Sequence, residues 1–161
     1  MNDAWQIRTQ LLLGDERMQC LHEAHVLVVG LGGVGAYAAE MLARSGVGTL
    51  TLVDADRVSE SNINRQLIAL HSTIGQPKAD ILAARLKDIN PEIQLTVLQE
   101  YVRDEATNRL LDRAPYSYVV DAIDTLSPKL REAAALRDRI QAIRVLSKRQ
   151  KVIAGVCADT D

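Results

Sequence analysis

A glycine-rich stretch follows a short apolar run near the N-terminus, and its spacing is typical of phosphate-binding turns. Val26–Val29 is apolar, and glycines at G-x-G-x-x-G spacing come next, at Gly30, Gly32 and Gly35. In such turns the first glycine permits a tight bend, the second lets the backbone approach a phosphate, and the third lets the following helix lie near the strand. Because a helix N-terminus also offers free N–H groups to an anion, the stretch predicts a nucleotide site. A purely structural turn in an α/β sheet is the alternative.

An acidic residue ends the next apolar run. Leu50–Val53 has the composition of a buried strand, and Asp54 follows it, 19 residues after Gly35. A carboxylate near this spacing typically binds ribose hydroxyls in nucleotide-binding α/β units. Asp54 is therefore a candidate for cofactor binding.

Three further charged residues lie after a predicted strand or at the start of a predicted helix, namely Arg65, Lys78 and Asp124. A simple nicotinamide-binding domain has no evident use for this set. Arginine and lysine neutralise phosphate charge, and an acid at a strand end can hold Mg²⁺ together with phosphate oxygens. The set therefore favours ATP used as a reagent, with attack on its α-phosphate, over hydride transfer.

Alternating helices and strands must position these groups. Residues 4–13 are helical in pattern and end at Gly14, after which Asp15 is expected to cap a second short helix. A short helical segment is also expected over 62–70. The predicted strands are 25–30, 49–54, 93–98, 118–123, 143–146 and 151–156, and the longer predicted helices are 33–45, 77–89, 104–112 and 128–141.

This alternation predicts an α/β, Rossmann-like fold. We expect an open, mainly parallel sheet with helices on both faces, preceded by an N-terminal helical lead-in. The chain has no Phe and only 3% aromatic residues, so its core must be largely aliphatic. Residues 1–161 are expected to form a single domain. With no apolar run of membrane-spanning length, no signal-peptide pattern and two distant cysteines, a cytoplasmic location without membrane contact is expected.

Charge is distributed unevenly along the chain. The formal net charge is −2, so no overall basic field attracts nucleic acid. Lys129–Lys151 nevertheless contains eight basic and two acidic residues. This run is interpreted either as a solvated helix face, which is favoured, or as a patch that meets RNA phosphates.

Five motifs together resemble those of a known superfamily. They are Gly30–Gly35, Val53–Asp56, Ser61–Gln66, Gly75–Lys78 and Asp121–Asp124. The set resembles the signature of the ubiquitin-activating-enzyme-like adenylating proteins (ThiF/MoeB/HesA), which include the sulfur-carrier adenylyltransferases of molybdopterin and thiamine synthesis. Within that superfamily, Arg8–Gly14, the glycine turn and Tyr116–Asp124 most resemble the tRNA threonylcarbamoyladenosine dehydratases.

The resemblance implies that ATP is the cofactor. Gly33 would approach the ATP phosphates and Asp54 would hold the ribose, while Asn62 and Arg65 would contact adenosine and phosphates. Lys78 would hold the phosphates near the reacting centre. The implied cofactor-binding residues are Gly30, Gly32, Gly33, Gly35, Asp54, Asn62, Asn64, Arg65, Gln66 and Lys78.

The resemblance also implies a metal site and a dimer. Asp124 would sit with Mg²⁺ beside the activated carboxylate, and Arg8 would reach the ATP of the neighbouring subunit of a homodimer. The implied catalytic residues are Arg8, Arg65, Lys78 and Asp124.

The implied reaction is the ATP-dependent, cyclising dehydration of threonylcarbamoyladenosine in tRNA, with modified tRNA as the substrate. One alternative is adenylation of the C-terminal Gly-Gly of a small sulfur-carrier protein, in a system with a cysteine desulfurase. Another alternative is a nucleotide-binding module without catalysis. After Lys129 the chain departs from the family pattern, because Lys148–Lys151 stands where a glycine-rich turn is typical. We therefore expect the family's C-terminal portion to be lacking.

Overall fold

The protein was analysed as a computed structural model, which describes residues 4–102, 105–123 and, for the backbone alone, 141–144. Over these residues, no helix is long and apolar enough to cross a bilayer. The Asp124 site, the predicted helix 128–141, the predicted strand 151–156 and the side chains of the basic run lie outside the described residues.

The described part of the chain contains one sheet of five parallel strands. The spatial order is β3-β2-β1-β4-β5, so the chain moves outward from β1 in one direction and then returns to build the other side. The prediction of an open, parallel α/β sheet is confirmed. The strands are β1 His25–Val29, β2 Thr49–Val53, β3 Gln94–Leu98, β4 Tyr118–Asp121 and β5 Gln141–Arg144.

Helices cover both faces of this sheet. Alternate residues of β1 point to opposite faces, so Val26 and Val28 pack with α3 and α4, whereas Leu27 and Val29 pack with α5. Burial on both faces explains why β1 is continuously apolar. The helices are α1 Ile7–Leu13, α2 Asp15–Glu23, α3 Gly35–Ser45, α4 Lys78–Ile89 and α5 Glu105–Leu111, with a 3₁₀ turn at Ala4–Gln6 before α1.

The strand order creates a crevice beside the carboxyl end of β1. The chain passes from β1 to β2 on one side of β1 and from β3 back to β4 on the other side, with α3 and α5 on opposite faces of the sheet. Such a switch point is where open α/β sheets bind ligands. Gly30 N–H donates to the Val53 carbonyl (2.9 Å) and Ala122 N–H donates to the Val29 carbonyl (2.8 Å). These bonds hold the three strand ends together around the glycine turn.

Some local predictions were wrong. Residues 62–70 do not form a helical segment; a 3₁₀ turn covers Glu60–Asn62 and further turns follow. The Asn62 side chain accepts a hydrogen bond from Ser59 N–H (3.1 Å), and this local bonding competes with helix formation. Asp15 is the first residue of α2, and Gly14 occupies the N-cap position. The fifth strand begins two residues earlier than predicted, at Gln141.

Candidate nucleotide site

Two of the four glycines in the turn are required by the fold itself. Gly30 has φ of 86°, and a Cβ there would lie 2.8 Å from the Ala122 carbonyl oxygen. A Cβ on Gly35 would collide with the Gly30 carbonyl oxygen. Gly30 and Gly35 therefore permit the bend and the close packing of α3 against β1.

The fold does not require glycine at the other two positions, Gly32 and Gly33, in this way. A Cβ on Gly32 would meet only the Gln66 amide nitrogen, at 3.8 Å, which is ordinary contact. A Cβ on Gly33 would lie 3.4 Å from the Arg65 carbonyl oxygen. Neither residue has the positive φ that would exclude a side chain. Because Gly32 has no side chain, open space remains beside it, in front of the N-terminus of α3, where a ligand can lie.

Asp54 ties the end of β2 to the glycine turn. One carboxylate oxygen accepts a hydrogen bond from Leu31 N–H (2.7 Å), and the other accepts from Asp56 N–H (2.8 Å). Each oxygen retains a second lone pair that can accept a ligand hydroxyl. The side chain is part-buried, so it is accessible at the edge where ribose is expected.

Lys78 begins α4 and is joined to the same loop. Its ammonium nitrogen lies 3.0 Å from an oxygen of Asp56, and its backbone N–H donates to the Asp56 carbonyl, also at 3.0 Å. A cation at a helix N-terminus faces the positive end of the helix dipole and needs an anion nearby. The Asp56 carboxylate supplies that anion in the structure. Asp56 belongs to the Val53–Asp56 motif, but sequence reasoning assigned it no role, because its partner is 22 residues away.

The segment after β2 brings more polar groups to the turn. Arg65 is exposed, lies against Gly33, and donates from its guanidinium to the Ser61 carbonyl (2.8 Å) and to the Asn64 side chain (2.9 Å). Gln66 is only 9% exposed, and its amide oxygen has no hydrogen-bond partner among the described residues. A buried polar atom without a partner is costly unless a ligand satisfies it.

Asn62 closes a turn in the segment after β2. It is buried, and its side-chain oxygen accepts from Ser59 N–H, so in the structure it shapes the 59–62 turn. Its contact with adenosine stays a prediction. Asn64 is exposed and contacts the Arg65 guanidinium, so it lies close to the site.

Arg8 is not gathered with the other candidates. It is exposed on α1, two residues after Gln6. Gln6 is buried, and its side-chain oxygen lies 3.1 Å from Nε2 of the His22 ring. Gln6 also lies against Gly46, just beyond the C-terminus of α3. The glycine turn stands at the other end of α3, whose 11 residues span about 16 Å.

The strand β4 ends at the crevice, three residues before the predicted metal residue, Asp124, in the sequence. Asp121 is buried, and one of its oxygens accepts from Ile123 N–H (3.2 Å). Asp124 itself lies outside the described residues. Over residues 4–102 and 105–123, no group of three or more His, Cys, Asp or Glu side chains could hold a metal ion.

A buried carboxylate fixes the two helices that begin at the site. Glu40 of α3 accepts from Arg85 of α4 at 2.6 Å and from Arg44 at 2.8 Å. The hydrogen bond from Arg85 lowers the pKa of Glu40, against the effect of burial. Because α3 starts at the glycine turn and α4 starts at Lys78, this ion pair sets the positions of both helices relative to each other.

The strand order, the glycine turn at the switch point and the carboxylate that follows β2 define an α/β domain with the fold of the dinucleotide-binding class. A model of the ThiF family matches residues 4–158. The chain belongs to the ThiF family.

Several proteins resemble the chain over most of its length. It is 44% identical over 132 residues to the tRNA threonylcarbamoyladenosine dehydratase of Escherichia coli, covering 80% of this chain and 49% of the relative. It is 47% identical over 123 residues to the enzyme of that name from Bacillus subtilis, covering 76% and 48%. The sulfur carrier protein ThiS adenylyltransferase of Escherichia coli is 40% identical over 134 residues, covering 80% and 53%.

A solved structure agrees with the sequence matches. The crystal structure of the Escherichia coli tRNA N6-threonylcarbamoyladenosine dehydratase in complex with ATP superposes with a TM-score of 0.80 at 40% identity. The match covers 89% of this chain and 60% of that one. The chain spans about half the length of the curated relatives it matches.

Proposed function

We propose that the chain is an ATP-dependent adenylating domain that activates a carboxylate, of the type found in tRNA threonylcarbamoyladenosine dehydratases. The observation that carries the proposal is the open space beside Gly32. The fold does not require glycine at this position, and a phosphate would fill the space. The similarity to the dehydratase solved with ATP supports the same reading.

The proposed contacts follow from the geometry. The N–H groups of the glycine turn and the dipole of α3 attract the phosphates, and Asp54 accepts the ribose hydroxyls. Arg65 lies against Gly33 and Lys78 is linked to the turn through Asp56 and Asp54, so both cations can neutralise the triphosphate and the leaving pyrophosphate. The Gln66 oxygen, which lacks a partner among the described residues, would accept a ligand donor.

Magnesium fits this proposal. Mg²⁺ commonly takes one or two protein carboxylates and completes its coordination with substrate phosphates and water. The Asp121–Asp124 segment, which begins at the last residue of β4, offers such a carboxylate, and Asp124 is the proposed ligand. When bound, the ion would neutralise phosphate charge during the reaction.

The chemistry proposed for the site is acyl adenylation. A carboxylate oxygen of threonylcarbamoyladenosine attacks the α-phosphorus of ATP, and the bond to pyrophosphate breaks. A nucleophile within the same modified base then attacks the acyl carbon, AMP leaves, and a ring closes with net loss of water. The protein positions the reactants and stabilises charge, and the scheme needs no protein nucleophile.

Assembly and location are also proposed. Residues 1–161 would form a single adenylating domain that acts in the cytoplasm on modified tRNA. Arg8 is exposed and lies two residues after Gln6, which contacts Gly46 at the far end of α3, and we propose that it completes the site of a second copy in a homodimer. An arginine supplied from a neighbouring subunit is a known way to stabilise phosphoryl charge.

The test is a competition followed by an exchange assay. MgATP should bind and NAD should not displace it, as measured by calorimetric titration. Exchange of labelled pyrophosphate into ATP should then require tRNA that carries threonylcarbamoyladenosine, and Arg65→Ala should abolish it. Tight NAD binding without ATP competition would overturn the assignment to ATP chemistry.

A second candidate is adenylation of a sulfur-carrier protein. It is supported by the 40% identity to the ThiS adenylyltransferase. Pyrophosphate exchange that depends on a small carrier protein ending in Gly-Gly, and not on tRNA, would select it. ATP binding without exchange on either acceptor would indicate a nucleotide-binding module.

A further inference from the structure

Lys78 and Asp56 form an ion pair whose two partners differ sharply in exposure. The Lys78 side chain is 6% exposed and that of Asp56 is 55% exposed, with 3.0 Å between the ammonium nitrogen and the nearer carboxylate oxygen. A buried cation needs an anion beside it, whereas an exposed carboxylate is well solvated without a partner. Asp56 can therefore release Lys78 at little cost when another anion takes its place.

The backbone of Asp56 is fixed while its carboxylate remains exposed. Its N–H donates to Asp54 (2.8 Å), and its carbonyl accepts from the Lys78 N–H (3.0 Å). Asp54 in turn holds the Leu31 N–H of the glycine turn. Three consecutive hydrogen-bonded steps thus connect the turn to the start of α4, with Asp56 in the middle.

From this arrangement we infer that Asp56 is the positioning residue of Lys78, holding its ammonium group toward the nucleotide site until phosphate oxygens displace the carboxylate. The inference rests on the proposed function, since it takes a triphosphate as the displacing anion. Asp56 does not contact the reacting atoms in this role. It keeps the lysine ordered in the empty site and competes with the incoming phosphates for it.

Competition between the Asp56 carboxylate and phosphate predicts the direction in which the affinity for MgATP changes when the carboxylate is removed. Asp56→Asn keeps an oxygen that can accept from Lys78 but removes the negative charge that competes with phosphate. MgATP should therefore bind about threefold to tenfold more tightly to this variant. Adenosine has no phosphate, so its affinity should stay unchanged. A residue that only supported the fold would alter both affinities in the same direction.

The experiment is a double-mutant cycle measured by calorimetric titration with MgATP and with adenosine. The proteins are the full chain, Asp56→Asn, Lys78→Met and the double variant. Asp80→Asn is the matched control. Asp80 lies in the first turn of α4, as Lys78 does, but its carboxylate accepts a hydrogen bond from Gln99 (2.8 Å). We expect tighter ATP binding in Asp56→Asn, less than a twofold change in Asp80→Asn, and no effect of Asp56→Asn once Lys78 is methionine.

Several results would overturn the inference. Unchanged or weaker ATP binding in Asp56→Asn would do so while leaving the proposed function intact, and so would the same gain in the Lys78→Met background. If the full chain, shown to be folded by circular dichroism, bound no ATP, the proposed function would fail with it. Should Asp56→Asn not fold, Asp56→Ser removes the same charge and must also show the gain for ATP alone.

Discussion

The Asp54 carboxylate accepts a 2.7 Å hydrogen bond from the backbone N–H of Leu31, across 23 residues of sequence. This bond fixes the end of β2 to the glycine turn. The carboxylate that is expected to bind ribose therefore also holds the turn that is expected to bind phosphates. Loss of Asp54 should affect both stability and ligand binding.

Asp54→Asn should lower the free energy of unfolding by about 1–3 kcal/mol. An amide has one acceptor oxygen, so its NH₂ group would face one of the two N–H donors now satisfied by the carboxylate. Urea unfolding followed by circular dichroism measures the loss. The affinity for adenosine should fall as well, and Asp80→Asn serves as the control for removal of one charge. Unchanged stability would show that the two backbone donors have other partners.

Glycine variants should separate structural from ligand-related positions. Gly32→Ala should leave the free energy of unfolding equal or raise it by up to about 1 kcal/mol, because space is available and alanine restricts the unfolded chain. Its affinity for ATP should nevertheless fall at least tenfold. Gly35→Ala should cost about 3 kcal/mol or more, because the new Cβ meets the Gly30 carbonyl. Unfolding curves and ATP titrations distinguish the two cases, and equal destabilisation of both variants would contradict this division.

Glu40 should make stability depend on acid pH. Its pKa is lowered in the folded state, chiefly by the Arg85 hydrogen bond. The folded state thus binds fewer protons than the unfolded state, so the contribution is present above the ordinary value near 4.5 and is lost as pH falls through the lowered pKa. Glu40→Gln should cost about 2 kcal/mol at pH 7 and should weaken the decline between pH 5 and pH 3. The control is Glu23→Gln, at an exposed position. Its free energy of unfolding, measured with urea across the same pH series, should show the same pH dependence as that of the unsubstituted chain.

His25 should make the free energy of unfolding depend on pH in a higher range than Glu40 does. Burial lowers the pKa of its imidazole, and the ring contacts Thr51 at 2.9 Å and packs edge-on against Tyr116. Because the unfolded state binds the proton more readily, stability should fall as pH drops from about 6.5 toward the lowered pKa and then level off. His25→Gln should flatten this part of the curve in thermal unfolding measured from pH 7.5 to pH 5. A variant with an unchanged slope would assign the decline to other groups.

Features governed by local pattern could be predicted from the sequence. The glycine turn and Asp54 belong to adjacent strand ends, and continuous burial gives β1 and β2 an unmistakable apolar composition. The parallel order of the strands follows from their alternation with helices. Predictions over 62–70 were wrong because the Asn62 side chain closes a turn at Ser59, and periodicity does not detect such a bond.

Pairings between distant segments could not be predicted. The contacts of Lys78 with Asp56 and of Glu40 with Arg85 join residues 22 and 45 positions apart. Sequence spacing identified Lys78 as needing an anion but could not indicate which carboxylate the fold would bring to it. Such pairs depend on how α4 packs beside α3, which is a property of the tertiary structure.

The attachment of the N-terminal segment has a consequence for how activity depends on concentration. Gln6, two residues before Arg8, holds this segment against Gly46, at the end of α3 that lies about 16 Å from the turn. If Arg8 serves the nucleotide of a second molecule, catalysis depends on the association of two chains. On dilution below the dissociation constant of that assembly, turnover per chain should then decline, while adenosine held at a saturating concentration remains bound.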